Sequence, residues 1–230
     1  MSPLFHGNAR AVFFDLDGTL VDTAPDMVAA LQEVQRANAV EPVAYPLGRS
    51  QVSNGAMGLL SLAFPGEKIL PDGALMCEFI ARYKDRVCVD SRVFDGLDEM
   101  LASLEAANIP WGVVTNKPGH LSLPIMDELQ LSQRSATLVS GDTLPTRKPD
   151  PATLLHACKQ AQVSPSDCIY VGDAARDIEA GINAGMATIA VGYGYIVKED
   201  DPRGWGADTY AADTQELVQI IHKAVNLDAQ

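Results

Sequence analysis

Long hydrophobic runs are missing from this sequence of 230 residues. No stretch approaches the ~18 consecutive apolar residues that a membrane-spanning helix needs, and residues 1–10 lack the charged and then apolar order of a signal peptide. These absences predict a cytoplasmic protein with no membrane partner. Because 47% of the residues are apolar and 20% are charged, the chain can still bury a full core, and we expect a soluble globular protein.

Basic side chains are scarce as well. The chain has 17 lysines and arginines against 30 aspartates and glutamates, which gives a formal net charge of −13. This balance is the opposite of the basic surface of a nucleic-acid-binding protein, so we expect no nucleic-acid partner. An anionic ligand is not excluded, because salt screens charges over ~8 Å and a few basic groups can dominate their own pocket.

The sequence also lacks the usual patterns of reactive or metal-binding cysteine. Its four cysteines form no Cys-x-x-Cys pair and lie within apolar patterns, which predicts small buried side chains with neither a disulfide nor a bound metal. They are Cys77, Cys88, Cys158 and Cys168. No arrangement of serine, cysteine or histidine that is typical of nucleophilic catalysis is present either.

The sequence does contain short apolar runs that alternate with helical patterns. The apolar runs predict buried strands at 11–14, 110–114, 136–140, 168–171 and 187–191. Apolar stripes at helical spacing predict helices at about 97–107, 119–130, 151–161, 175–184 and 214–225. This order predicts an α/β protein with a Rossmann-like parallel sheet and helices on both faces.

The first predicted strand is separated from the second by about 95 residues, whereas a crossover normally needs a single helix. Residues 22–90 fill this gap with helical patterns. One helix is expected to begin near Pro25, one to run from a cap at Ser53 to Phe64, and one to cover residues 73–89.

This insertion predicts two domains. Residues 1–21 and 91–230 would form the core domain, and residues 22–90 would form a helical cap domain. The two connections between them, near 21–22 and 91–94, would let the cap open and close over the core.

Two carboxylates end the first apolar run. Asp15 and Asp17 would point to the same face of a strand and repel each other, unless a cation, a shared proton or a change of backbone direction separates their roles. Gly18 allows that change of direction. At this point a solvated Asp-Gly turn remains an equal alternative to a catalytic site.

Further polar residues follow other predicted strands, where an open parallel sheet places its ligands. Thr115 and Asn116 end the second strand, and Asp173 ends the fourth, with Asp177 one helical turn later. Lys148 lies in a proline-flanked loop just before a predicted helix. Each residue alone has an ordinary structural explanation, but their joint occurrence at successive strand ends favours a site.

These residues carry a resemblance to the haloacid dehalogenase superfamily. Its four ordered motifs are similar to Asp15-Leu16-Asp17-Gly18-Thr19, Thr115-Asn116-Lys117, Lys148-Pro149 and Gly172-Asp173-Ala174-Ala175-Arg176-Asp177. The insertion after the first motif resembles the C1-capped branch. Segments from Phe14 to Pro25 and Trp111 to Pro118 are similar to the phosphoglycolate phosphatase family. Within that family, Val52 to Gly55 and Ala190 to Asp208 resemble the N-acetylmuramic acid 6-phosphate phosphatases.

The resemblance implies a Mg²⁺-dependent phosphatase that works through an aspartyl phosphate. Asp15 would be the nucleophile, because a carboxylate can attack phosphorus and divide one displacement into two. Asp17 would protonate the leaving oxygen and later deprotonate the attacking water. The family's metal ligands correspond to Asp15, the backbone carbonyl of Asp17 and Asp173, and Asp177 would orient a bound water.

The phosphoryl oxygens would be held by Thr115, the backbone amide of Asn116 and the ammonium of Lys148, where negative charge spreads in the transition state.

For the cap, we predict that Arg49, Ser53 and Asn54 contact the substrate beyond its phosphate, although Arg49 could equally be an ordinary surface charge. Lys117 and Arg147 are further candidate anion contacts.

The expected substrate is a small phosphorylated metabolite, either N-acetylmuramic acid 6-phosphate or 2-phosphoglycolate, turned over by a monomer or homodimer. Three other functions fit the same core. A phosphomutase would return the phosphoryl group to a sugar, and a haloacid dehalogenase would need no Mg²⁺ and normally lacks the second aspartate. A non-catalytic sensor would bind a phosphorylated ligand without turnover.

Overall fold

The structure is a computed structural model that describes residues 7–227, so the predictions for residues 1–6 and 228–230 lie outside the described residues. In chain order, the strands are β1 (Ala11–Phe14), β2 (Val21–Asp22), β3 (Arg92–Val93), β4 (Trp111–Val114), β5 (Leu138–Val139), β6 (Cys168–Gly172), β7 (Ala187–Val191) and β8 (Thr209–Ala211). The helices are α1 (Ala24–Ala37), α2 (Tyr45–Arg49), α3 (Gly55–Ala63), α4 (Ala74–Lys84), α5 (Leu97–Ala106), α6 (Gly119–Glu128), α7 (Ala152–Ala161), α8 (Ala175–Ala184) and α9 (Thr214–Ala224).

The predicted parallel sheet is confirmed. Its strand order is β5-β4-β1-β6-β7-β8, and every neighbouring pair runs parallel. The first strand lies between β4 and β6, so the carboxyl ends of these three strands meet at one edge of the sheet. Strand β8 was missed because its residues are partly exposed and form no continuous apolar run.

Helices cover both faces of the sheet, as predicted. Alternate residues of β1 point to opposite faces: Val12 and Phe14 join one hydrophobic cluster, and Phe13 joins another. The first cluster includes Leu101 of α5 and Ile221 of α9, and the second contains residues of α7 and α8. None of the helices within residues 7–227 is long and apolar enough to cross a membrane.

The insertion between β2 and β3 is helical. Helices α1, α3 and α4 pack on one another around a hydrophobic cluster that includes Leu31, Leu60 and Phe79. The two connections to the sheet pair as a short antiparallel ribbon, with Val21 opposite Val93. The division of the chain into core and cap domains stays a prediction, and we call residues 22–90 the helical insertion.

Three details of the insertion differ from the prediction. Helix α4 ends at Lys84 rather than at residue 89, and the short helix α2 was not predicted. Ser53 does not cap α3, because it lies in a 3-10 turn, Val52–Asn54, and its hydroxyl donates to a carboxylate of the core instead.

A buried carboxylate ties the start of the insertion to its end. Asp26 of α1 accepts hydrogen bonds from the backbone N–H groups of Asp90 and Ser91 and from the Ser91 hydroxyl. Arg86 lies 3.6 Å from the same carboxylate. The second connection is therefore held against α1.

The prediction of four buried cysteines was wrong for two of them. All four are free thiols, but only Cys158 and Cys168 are buried, with their Sγ atoms 3.8 Å apart. Cys77 is exposed and Cys88 is half-buried. Cys77 follows the buried Met76 on α4, and the next position of a helix turns away from the core.

Candidate active site

Three predicted carboxylates meet at the sheet edge. Asp15 follows β1, Asp173 follows β6, and Asp177 lies in the first turn of α8, which brings it back over the end of β6. Each residue offers an oxygen that lies within 4.8 Å of the other two, and all three side chains are buried. Parallel pairing of β1 with β6 fixes this approach, since the Asp15 N–H donates to the Val171 carbonyl at 2.9 Å.

Lys148 supplies a positive charge to this cluster. Its buried ammonium forms ion pairs with Asp15 at 2.9 Å and with Asp177 at 2.7 Å. It also donates to the Val114 carbonyl and to the Tyr170 hydroxyl. Burial alone would lower the pKa of Lys148, but the two carboxylates more than offset this effect and raise it.

The negative charge of the cluster is only partly balanced. Burial, with smaller contributions from Asp15 and Asp177, raises the pKa of Asp173 to about 7. Burial also raises the pKa of Asp177, although Lys148 acts in the opposite direction. Lys148 and the nearby Arg176 guanidinium therefore offset only part of the charge of three carboxylates, and the site favours an additional cation.

The oxygen atoms present fit a divalent metal ion. Oδ1 of Asp173 is buried and has no partner among the described residues, and Oδ1 of Asp15 and of Asp177, also buried, contact only the Lys148 ammonium. Buried polar atoms are normally satisfied, and hard carboxylate oxygens are the ligands that Mg²⁺ prefers. The carboxylate of Asp17 lies outside this cluster, and a contribution from its backbone carbonyl stays a prediction.

Backbone geometry separates the two aspartates of the first motif. Gly18 has a φ of +84°, a conformation that side chains other than glycine rarely adopt. A Cβ atom there would also overlap Oδ2 of Asp173. Glycine at this position thus lets the chain turn away after Asp15 and pass close to the carboxylate cluster.

Asp17 faces a cation rather than another carboxylate. Its Oδ1 atom accepts hydrogen bonds from the Lys117 ammonium at 2.8 Å and from the Thr23 hydroxyl at 2.5 Å. Lys117 is itself buried. We predicted Lys117 as an anion contact, and the anion that it contacts is a carboxylate of the protein.

Asn116 of the second motif holds the backbone of Lys148 in the third motif. The side-chain amide of Asn116 accepts from the Lys148 N–H and donates to the Lys148 carbonyl, both at 3.0 Å. The Thr115 hydroxyl accepts the N–H of Lys117 at 3.1 Å. Contacts of Thr115, Asn116 and Lys148 with phosphate stay predictions.

Ser53 brings the insertion into direct contact with the carboxylate cluster. Its hydroxyl donates to Oδ2 of Asp173 at 2.7 Å, and the Tyr195 N–H donates to the same oxygen at 2.8 Å. The Ser53 carbonyl accepts from Arg176 at 2.6 Å. Sequence reasoning missed this role because Ser53 and Asp173 are 120 residues apart.

Arg49 lies elsewhere. Its guanidinium donates to the carbonyls of Tyr193 and Gly194, each at 3.1 Å, and stacks over the ring of Tyr195. It is not among the residues that line the cavity beside the carboxylates, whereas Asn54 is. The structure thus places Arg49 in a contact between the insertion and the core, and its predicted substrate contact has no support from this position.

A cavity of about 580 Å³ lies between the insertion and the sheet edge. The polar residues that line it include Asp15, Asp17, Ser53, Asn54, Thr115, Asn116, Lys117, His120, Arg147 and Arg176. Its apolar wall includes Met27, Val52, Ala56, Met57, Pro71, Met76, Phe79, Ile80 and Leu121. Three basic residues, Lys117, Arg147 and Arg176, thus line this cavity in a chain of net charge −13.

The raised pKa of Asp173 predicts how stability depends on pH without metal. Its pKa rises from 3.8 to about 7 on folding, so between these values the folded state binds more protons than the unfolded state. Stability therefore falls as the pH rises through this window. With EDTA present, urea unfolding is expected to give a lower free energy of unfolding at about pH 7.5 than at about pH 5.5.

Asp173→Asn is expected to remove most of this decline, because the substituted amide does not titrate. An equal decline in Asp173→Asn and in the unchanged protein would contradict the prediction.

The parallel α/β sheet, with residues of the four motifs gathered at one edge, is typical of a class of hydrolases. The model of the haloacid dehalogenase-like hydrolase family matches residues 12–191, and this chain belongs to that family. The predicted resemblance is confirmed.

Known relatives identify the chain further as a phosphatase of this family. The N-acetylmuramic acid 6-phosphate phosphatase of Pseudomonas aeruginosa is 44% identical over 217 residues, which cover 94% of this chain and 96% of that protein. A phosphoglycolate phosphatase of Xylella fastidiosa is 43% identical over 205 residues, covering 88% of this chain and 90% of that protein. The crystal structure of a predicted phosphoglycolate phosphatase from Haemophilus somnus matches with a TM-score of 0.82 and 26% identity, covering 93% and 98% of the two chains.

Proposed function

We propose that this chain is a Mg²⁺-dependent phosphomonoesterase that hydrolyses N-acetylmuramic acid 6-phosphate through an aspartyl phosphate. The observation that carries the mechanism is the group of three buried carboxylates around Lys148, of which Asp15 lines the cavity. Asp15, Asp173 and the backbone of Asp17 would hold Mg²⁺, which when bound neutralises charge on the substrate phosphate.

In the first step, a carboxylate oxygen of Asp15 attacks phosphorus and the bond from phosphorus to the sugar oxygen breaks. The proton of Asp17 moves to that oxygen, which leaves as the alcohol. Lys148 stays beside Asp15 throughout and stabilises negative charge on the transferred group.

In the second step, water attacks phosphorus of the aspartyl phosphate. Asp17, now a carboxylate, takes a proton from this water, and the bond from phosphorus to the Asp15 oxygen breaks. Inorganic phosphate leaves and both aspartates return to their starting states.

Cavity size supports the larger of the two candidate substrates. A volume of about 580 Å³ falls in the range of ~300–1,000 Å³ that is typical of pockets for drug-sized ligands. Phosphoglycolate would leave most of this space empty, whereas an acylated amino-sugar phosphate offers methyl groups to the apolar wall and a carboxylate to Arg147. Phosphoglycolate remains the second candidate, because several relatives carry that name at 41% to 43% identity.

Release of inorganic phosphate from both substrates by the purified chain with Mg²⁺ tests this proposal. We expect kcat/KM to be at least about tenfold higher for N-acetylmuramic acid 6-phosphate, since its extra groups are bound in the transition state. EDTA should stop release, and no bisphosphate activator should be needed.

Other outcomes would favour other functions. Transfer of phosphate to sugar would indicate a mutase, halide release without Mg²⁺ would indicate a dehalogenase, and binding without turnover would indicate a sensor. Each of these results would overturn the proposal.

A further inference from the structure

Lys117 ends the second motif, but the proposed mechanism gives it no role. Its ammonium is buried between the core and the helical insertion and pairs with Asp17 at 2.8 Å. From the insertion, the ring of Tyr83 on α4 lies 4.7 Å from the ammonium, and Sδ of Met27 on α1 lies 3.7 Å from it. Residues of the core and of the helical insertion thus both contact the Lys117 ammonium.

The two carboxylate oxygens of Asp17 have unequal surroundings. Both described hydrogen bonds to this carboxylate, from Lys117 and Thr23, go to Oδ1. Oδ2 has no hydrogen-bond or ion-pair partner among the described residues, and Asp17 lines the cavity. A carboxyl group held in this way offers one oxygen for proton transfer and keeps the other fixed.

We infer that Lys117, clamped by the ring of Tyr83, is the positioning residue for the acid and base Asp17. Lys117 holds Oδ1, so that Oδ2 faces the leaving oxygen of the substrate. This inference rests on the proposed function, since it needs Asp17 to transfer the proton.

Tyr83 makes the arrangement depend on the insertion. The ring is fully buried, and the Lys117 ammonium lies 4.7 Å from its centroid, near enough for the Tyr83 hydroxyl to interact with the ammonium as well. A cation over an aromatic face is attracted by the ring quadrupole, and this attraction is stronger where water is excluded. Movement of α4 away from the sheet would remove the clamp, and Asp17 is therefore held for catalysis only while the insertion is closed.

Leaving-group chemistry provides the test. A sugar phosphate needs a proton on its leaving oxygen, whereas p-nitrophenyl phosphate releases a phenolate that needs none. In a single turnover, Lys117→Met is expected to slow release of the sugar about 100-fold and release of p-nitrophenolate less than about fivefold, because only the sugar needs a proton from Asp17. Single-turnover release reports the first step alone, whereas the later hydrolysis of the aspartyl phosphate uses Asp17 as a base with either substrate. KM should change little for either substrate.

Arg203→Met is the matched control, because it removes a cation that lies 4.6 Å from the Tyr210 ring, away from the cavity-lining residues. It should leave both reactions unchanged. An equal loss on both substrates in Lys117→Met, or a rise in KM alone, would overturn the inference and indicate direct binding of phosphate by Lys117. Failure of the unchanged protein to release phosphate from either substrate would instead refute the proposed function.

Two substitutions of Tyr83 test the clamp separately. Tyr83→Phe keeps the aromatic face and should retain the rate on the sugar phosphate within about twofold, whereas Tyr83→Leu should lower it roughly tenfold. A similar loss in both variants would assign the effect to the hydroxyl and contradict the clamp. Melting temperatures of both variants identify any unfolding, and Lys117→Met tests the positioning role even where Tyr83→Leu does not fold.

Discussion

Asp15→Asn is expected to lower phosphate release by roughly 10⁴-fold or more, since removal of a nucleophile eliminates the covalent route. The amide is a poor nucleophile, and it replaces one of the three carboxylates that meet at the sheet edge. Release of inorganic phosphate under saturating substrate and Mg²⁺ measures the loss. The melting temperature should remain close to that of the unchanged protein, because the amide has nearly the same shape, Lys148 keeps its ion pair with Asp177, and charge repulsion with Asp173 and Asp177 is removed.

Asp213→Asn provides the control for the same chemical change. Asp213 caps α9 by accepting the Glu216 N–H, far along the chain from the motifs, and asparagine caps helices about equally well. The activity of the Asp213→Asn variant should equal that of the unchanged protein. Substantial activity in Asp15→Asn would place the nucleophile elsewhere and end the proposed mechanism.

Lys148→Met is expected to have the second largest effect, on both turnover and stability. Methionine fills a similar volume but leaves Asp15 and Asp177 without their ion pair. Removing one partner of a buried pair costs about 3–5 kcal/mol, and losing one donor to the transition state costs about 10²- to 10³-fold in kcat. Urea unfolding with EDTA measures the first effect, and phosphate release measures the second.

Addition of Mg²⁺ should recover part of the lost stability, because the cation would replace the missing positive charge. Lys159→Met, an exposed position on α7, should change neither quantity. A Lys148→Met protein as stable as the unchanged one in EDTA would show that the ammonium does not balance the cluster.

Five of the six strands of the sheet were predictable because each of them contains a local apolar run, which β8 lacks. In β1 every residue is apolar and buried, which is typical of a central parallel strand covered on both faces. Strand β5 was predicted over residues 136–140 but includes only Leu138–Val139, since local pattern does not determine how far a neighbouring strand pairs. The Asp-x-Asp-Gly motif likewise predicted a turn by itself, and Gly18 has the positive φ that such a turn needs.

The sequence predicted that a helical insertion exists, but it did not predict which residues of the core the insertion contacts. Pro25 marks the beginning of α1 correctly, because proline suits the first turn of a helix. The partners of Ser53 and Arg49 lie more than 100 residues away, on Asp173 and on the carbonyls of Tyr193 and Gly194. No local pattern specifies such partners, because they depend on how the insertion is seated on the sheet.

The sequence by itself determined the fold class, the order of the motifs and the residue types needed to transfer a phosphoryl group. It could do so because strand ends of a parallel sheet converge whatever their separation along the chain. Only the tertiary structure decided which charges face each other: Lys148 lies between Asp15 and Asp177, and Lys117 turns to Asp17. Electrostatic pairing acts over a few ångströms in space, and distance along the sequence does not determine it.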